Sequence, residues 1–321
     1  MKYLITILCL CVGCTAYAQN IWTVSNEIGF EADFTTIQDA HDAASAGDII
    51  MVQGSDVTYP AVTITKQLTI IGGGYAGDEH PDYQTNSKQT SMNAVTFNSG
   101  SENSIIKNCR IFGGSYINVD FIIVESCYIS SVLTINAINT QIFKSIFTST
   151  IQTNASNNSI ISNCAFLGSN TNGFRVDGFE VYNSVFLSWL GGLTENTNFT
   201  NCIFMNANFS YDADYDNTYS YCIFANEPSV SGVGNQFNVS PTTVFDYDNI
   251  VGSINYGYEL ILKSDSPAIG TGYGGIDCGI FGGETPYAIF GITGIPTVDE
   301  VITPGTVSGN MNVTVKAKSN Q

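Results

Sequence analysis

A Cys or Ser residue returns every 18 to 20 positions through the middle of this chain, each time in the same local setting. Seven segments align on it: Ile106–Ile111, Val124–Ile129, Ile142–Phe147, Ile161–Phe166, Val181–Phe186, Phe199–Phe204 and Tyr219–Phe224. Steps between the aligned positions (Cys109, Cys127, Ser145, Cys164, Ser184, Cys202, Cys222) are 18, 18, 19, 20, 18 and 20 residues. Three columns carry the pattern of burial. The position three before the Cys is always large and apolar or aromatic, the Cys position admits only Cys or Ser, and the position two after it is Ile or Phe.

Inward positions two apart are ordinary strand alternation, whereas a step of three cannot continue one flat strand. The chain must therefore bend just before the Cys, where Asn108, Asn163, Asn183 and Asn201 stand. Asn tolerates a left-handed backbone at such a bend. A unit this short has too little core alone and must stack on its neighbours. The expected fold is an all-β, right-handed parallel β-helix, its rungs about 4.8 Å apart and ten or so rungs giving a rod of about 50 Å. A leucine-rich repeat would need a Leu ladder, which is absent, and a β-sandwich would show turn signals without this recurring phase. Five of the six Cys beyond residue 18 occupy the one small inward slot that Ser also fills. Stacked side chains point the same way, which favours free buried thiols over disulfides.

The first residues read as an export signal. Lys2 precedes an apolar stretch from Tyr3 to Thr15, and Ala16–Tyr17–Ala18 offers a small-x-small cleavage site. The stretch is too short for a membrane span, and no later segment supplies one. Cys11–Val12–Gly13–Cys14 is also close to a lipobox with Cys14 as the acylated residue, so the two readings agree on export and differ on a lipid anchor. The formal charge of −18, with ten Lys plus Arg, argues against nucleic acid and anionic lipid headgroups as partners. Acidic polysaccharides fit poorly unless calcium bridges them, and neutral glycans or a protein surface fit better.

Thr35–Asp48 reads as a short amphipathic helix with Ile37, Ala40 and Ala44 as its apolar stripe, ended by Gly47 and placed to cap the N-terminal end of the core. Strands at Ile49–Val52, Val62–Ile64 and Leu68–Ile71 follow it. The run from Phe34 to Gly73, with its helix, Gly47–Asp48, strand and Lys66–Gly72, resembles the start of the pectin-lyase-like right-handed β-helix proteins. Ser266–Gly270 followed by Gly275–Gly283 is similar to the closing segment of many bacterial surface β-helix proteins. The resemblance covers roughly residues 30 to 285, giving a signal at 1–18, a β-helix domain at 19–285 and an extended tail at 286–321 with a terminal strand at Asn312–Lys318. It is specific for fold, since the family includes lyases, glycoside hydrolases, adhesins and proteins with no assigned role.

Its lyases bind calcium through several carboxylates and use an Arg or Lys base on the same face. Arg175, in Gly173–Gly178, is the one basic residue of the central rungs in a distinctive setting; a surface pair with Asp177 is the simpler reading of it. Lys107 and Arg110, beside the Cys column, are expected to face solvent. The hydrolase motifs of the family (Asn-Thr-Asp, paired Asp, Gly-His-Gly, Arg-Ile-Lys) do not occur. His41 falls in the helix and His80 in a loop, so no His triad or zinc cluster is assembled. Asp212, Asp214 and Asp216 alternate like the opening of a calcium loop, yet the usual Gly and distal Glu are missing. The alternative is a polar surface loop in which Tyr211, Tyr215, Tyr219 and Tyr221 offer stacking platforms for sugar rings.

These features give an expected function: a non-enzymatic secreted or cell-surface solenoid, an adhesin or glycan-binding module taking a neutral polysaccharide or a surface protein. A diverged polysaccharide lyase or glycoside hydrolase, and a purely structural surface protein, are the alternatives.

Overall fold

The computed structural model describes residues 19–75, 88–154, 158–168, 173–187, 194–205, 216–246 and 260–287, with the strand backbones Thr297–Ile302 and Thr314–Lys318. Three parallel sheets wind into a β-solenoid of about seven turns. The first sheet has ten strands, from Ile21–Val24 to Thr218–Ser220; the second has eight, from Ser91–Met92 to Ile223–Phe224; the third has six, from Val62–Ile64 to Phe174–Arg175.

The bend between the first and second sheets explains the Cys/Ser column. Each residue just before it has a left-handed backbone: Asn108, Ser126, Lys144, Asn163, Asn183, Asn201 and Tyr221 all lie at φ between +46° and +59°. The next side chain turns inward and donates to the carbonyl two residues back, Ser145 Oγ to Phe143 at 2.8 Å, Ser184 Oγ to Tyr182 at 2.8 Å and Cys164 Sγ to Ser162 at 3.2 Å. It also receives the N–H of the rung before, as Cys127 N donates to Ser145 Oγ at 3.1 Å and Cys164 N to Ser184 Oγ at 3.2 Å. Only a short side chain that donates and accepts fits, so Cys and Ser exchange freely there. The six Cys are free and buried.

Two residues further on, Phe147, Phe166, Phe186, Phe204 and Phe224 stack face to face with ring centroids 4.6 to 5.0 Å apart, close to the spacing of one rung. Phe237 continues the stack on Phe224 at 5.4 Å.

A second left-handed column, not foreseen from the sequence, precedes the first sheet at Asn103, Phe121, Asn139, Gly178, Asn196 and Asp216. The strand Ile21–Val24 is also additional, pairing in parallel with Ile49–Val52. Asp48 ties it down, accepting from the Asn20 N–H (2.9 Å), Trp22 Nε1 (3.0 Å) and the Ser45 N–H (2.9 Å). The helix Ile37–Ala43 is N-capped by Thr36, buries Ile37 and Ala40, and packs on the strands Ile21–Val24, Ile49–Val52 and Val62–Ile64. Lys66 Nζ donates to the carbonyls of His41, Asp42 and Ala44 at 2.8 to 2.9 Å, satisfying the helix C-terminus.

The segment 260–287 does not extend the coil. It runs back along the outside of the second sheet, burying Ile146, Ala165, Val185, Ile203 and Ile223 against Leu260, Ala268, Cys278 and Ile280. The bend asparagines hold it: Asn163 Nδ2 donates to the carbonyls of Ile280 and Gly282, Asn183 Nδ2 to that of Asp277, and Asn201 Oδ1 accepts the Tyr273 N–H. Near the end of this strap, Tyr287 hydrogen-bonds Tyr75 through the two hydroxyls. In the tail, Thr297–Ile302 and Thr314–Lys318 pair as an antiparallel ribbon.

Candidate functional site

Among the described residues, 260–287 cover the second sheet and no such strap lies on the outer faces of the first and third sheets. Strand alternation directs the middle residue of each third-sheet strand outward. The register aligns these residues as Thr63, Thr96, Tyr116, Thr134, Gln152 and Arg175. Two positions later along the chain stand Thr65, Asn98, Asn118, Asn136, Asn154 and Asp177, on the same side. The result is a two-column grid of hydroxyls and amides that carries no formal charge over five rungs.

The amides of the grid are held in line. Asn118 Nδ2 donates to Asn98 Oδ1 (2.9 Å), Asn136 Nδ2 to Asn118 Oδ1 (2.7 Å), and Asn154 Nδ2 to Asn136 Oδ1 (2.6 Å). Beside them Gln152 Nε2 donates to Thr134 Oγ1 at 3.2 Å, and Thr134 itself is buried, so on that rung Asn136 is the exposed member. Each bonded amide keeps a second N–H and a second lone pair for another partner. Tyr116, 47% exposed, is the one aromatic ring on the grid. Such a surface can exchange hydrogen bonds with ligand hydroxyls and lay a ring against an apolar sugar face.

Arg175 and Asp177 fall at the end of this grid, but they do not pair. Among the described residues the ion pairs are His41–Asp42, Lys88–Glu27 and Lys88–Asp56. Asp177 Oδ1 instead accepts from Asn196 Nδ2 at 2.8 Å, so the expected surface pair is corrected. Arg110 is likewise not simply solvated: its guanidinium lies 4.8 Å over the Phe112 ring and 4.7 Å over Tyr128, and Nη1 donates to Gln89 Oε1 at 2.8 Å.

The tyrosine platform needs a further correction. Tyr219 is 4% exposed and stacks flat on Phe199 at 4.9 Å, in the inward column three before Cys222. Burial pushes its phenol far above the usual range. A residue in that column belongs to the core and cannot meet a sugar ring. Tyr221 makes the bend of its rung at φ +56° and sets its ring edge-on to Tyr273 at 5.4 Å. Asp216 occupies the second left-handed column at φ +49°, a turn position in its own right. Tyr211, Tyr215, Asp212, Asp214 and Cys14 lie outside the described residues.

Among the described residues no three His, Cys, Asp or Glu side chains gather as a metal site would need. Burial pushes the thiols of Cys127, Cys164 and Cys278 up to about 12, and those of Cys109 and Cys222 well above their usual range. Thiols held protonated in this way are poor nucleophiles. No helix among the described residues is long and apolar enough to cross a membrane.

The grid was missed from sequence although its signal was present. Asn98, Asn118, Asn136 and Asn154 recur at steps of 20, 18 and 18, each two positions after Thr, Tyr, Thr or Gln. An alignment anchored on the Cys column stopped short of them. The architecture defines the chain as a parallel β-solenoid, with one outer face a ladder of uncharged polar side chains. No protein-family model matches it, and no curated protein matches it either.

Proposed function

We propose that this chain is an exported, non-enzymatic binding solenoid of the right-handed, pectin-lyase-like kind, and that it holds a neutral polysaccharide on the outer face of its third sheet. The observation that carries the reading is the uncharged face formed by Thr96/Asn98, Tyr116/Asn118, Asn136 and Gln152/Asn154, with Thr134 buried beneath it, on a chain whose formal charge is −18. A ligand with no charge and many hydroxyls matches that face, and the rung spacing of about 4.8 Å lets successive sugar rings of an extended glycan meet equivalent groups. Right-handed coiling is the hand that nearly all parallel crossovers take. On this reading the helix Ile37–Ala43 closes the N-terminal end of the core, and the apolar leader with Ala16–Tyr17–Ala18 takes the protein to the cell surface or beyond.

The test is retention of the mature protein on neutral polysaccharides (glucan, mannan, xylan) and acidic ones (pectate, alginate), each with calcium and with chelator. Retention on a neutral polymer, weakened about tenfold by Tyr116→Ala, is expected. Release of reducing or unsaturated products would overturn the non-enzymatic part. Retention that Tyr116→Ala and Gln152→Ala leave unchanged would overturn the placement, and absence of retention throughout would overturn the glycan in favour of a surface protein.

A further inference from the structure

The outer face of the first sheet differs in kind from that of the third. Over its first seven strands the outward residues include Ile49, Met51, Ile71, Ile105, Ile123, Phe143 and Ile160, of which Met51 is 47% exposed and the others are partly exposed, interspersed with Thr69, Gln141 and Ser162. Strand propensity alone would spread aliphatic residues over both outer faces, yet the matching positions of the third sheet are Thr, Thr, Tyr, Thr, Gln and Arg. The apolar field spans about 30 Å along the rod. Its formal charges are one Lys107 and one Glu125, which are register partners on adjacent strands at its centre. The two do not form an ion pair with each other.

We infer that this face is a contact between two copies of the chain, packed face to face and antiparallel. The two-fold axis runs parallel to the strands, midway between the rungs of Lys107 and Glu125. Such an axis reverses the order of rungs and keeps each outward column opposite itself. The register then sets Lys107 against Glu125 of the second copy, twice, and Ile105 against Ile123. One rung further out on each side, Ile71 meets Phe143, and the next rung brings Ile49 to Ile160. At the centre of the contact the charges meet their opposites and the aliphatic and aromatic residues meet one another; Thr69 falls opposite Gln141 and Met51 opposite Ser162, and the outermost rung sets Ile21 against Glu180 at the rim. An uncompensated self-contact would be unfavourable for a chain of charge −18, and the central charge pairs offset part of that repulsion. The polar face of the third sheet stays free in both copies.

Sedimentation velocity of the mature protein over about 1 to 300 μM reads the association, a range suited to a contact of modest area. A monomer–dimer equilibrium is expected. Lys107→Glu and Glu125→Lys should each weaken it about tenfold or more, by placing like charges across the axis. The double exchange should restore most of the lost association. Circular dichroism melts of the same variants establish that these outward substitutions leave the fold intact, and Ile123→Asp gives a second disruption that does not depend on the charge pair. A chain that stays monomeric throughout, or a dimer indifferent to all of these variants, would overturn the inference.

Discussion

Asn163 makes the bend of its rung at φ +53° and, with the same side chain, donates to the carbonyl of Ile280 at 2.9 Å, 117 residues further along the chain. A second bond from the same Nδ2 reaches Gly282 at 2.8 Å. The residue that turns the solenoid thus also fastens the strap on its outside. Asn163→Gly keeps the left-handed bend and removes the clamp, whereas Asn163→Ala removes the clamp and strains the bend. Losing the two bonds should cost about 2 kcal/mol, and Ala should be about 1 kcal/mol worse than Gly. Urea unfolding measures the difference, and hydrogen exchange should quicken over residues 260–287 in both variants.

Phe186 sits in the middle of the aromatic stack, with Phe166 at 4.6 Å on one side and Phe204 at 4.8 Å on the other. Phe186→Ala should cost about 3 to 5 kcal/mol, because neighbours fixed by their own rungs cannot collapse into the space. Phe186→Leu should cost about 1.5 kcal/mol or less, since Ile129 and Ile111 fill the same column three and four rungs away. Thermal melts of the pair separate lost volume from lost ring stacking.

The Cys column yields a prediction about chemistry. Native protein should leave Cys109, Cys127, Cys164, Cys202, Cys222 and Cys278 unreacted with a thiol reagent, and all six should react after denaturation. Cys164→Ser should change stability by less than about 1 kcal/mol, because Ser145 and Ser184 on the adjoining rungs make the same bond to the carbonyl two residues back. Cys164→Val loses that donor and should cost more. Rapid labelling of any of the six in the folded protein would contradict the buried column.

Acid should loosen the N-terminal end first. Burial opposes ionisation of Asp48, but hydrogen bonds from Ser45, Asn20 and Trp22 outweigh it and hold the carboxyl below its ordinary value. The Thr23 backbone and hydroxyl lower Asp33 in the same direction, and His41 with Gln38 lowers Asp42. Each folded value lies under the unfolded one, so the stabilisation is complete above roughly pH 4 and is lost as pH falls through the folded value. Hydrogen exchange between pH 5 and pH 3 should report opening at residues 20–52 before the central rungs. Asp48→Asn should cost about 2 kcal/mol at neutral pH and flatten this acid dependence. Uniform loosening along the rod would count against it.

Much of the rung was legible in the sequence because stacking imposes one local environment on every turn. The inward Ile/Val column, the bend at Asn and the Cys/Ser slot each answer a requirement met within one rung and its neighbours. The same logic exposed the Phe column and, with attention, would have exposed the Asn98–Asn154 ladder. Tyr219 shows the limit: its place in the inward column was visible, yet the density of nearby tyrosines suggested a surface role, and burial decided the matter.

What the sequence determined by itself was therefore periodic: the rung length, which side chains point inward, and where the backbone turns. Tertiary structure alone decided which outer face stays open. The strap crosses from residues 260–287 to Asn163, Asn183 and Asn201 by contacts roughly 70 to 120 residues apart, and no period in the chain records them. By covering the second sheet it leaves a polar grid on one side and an apolar field on another. Those faces are products of register between rungs, which local patterning permits but only the assembled coil brings into line.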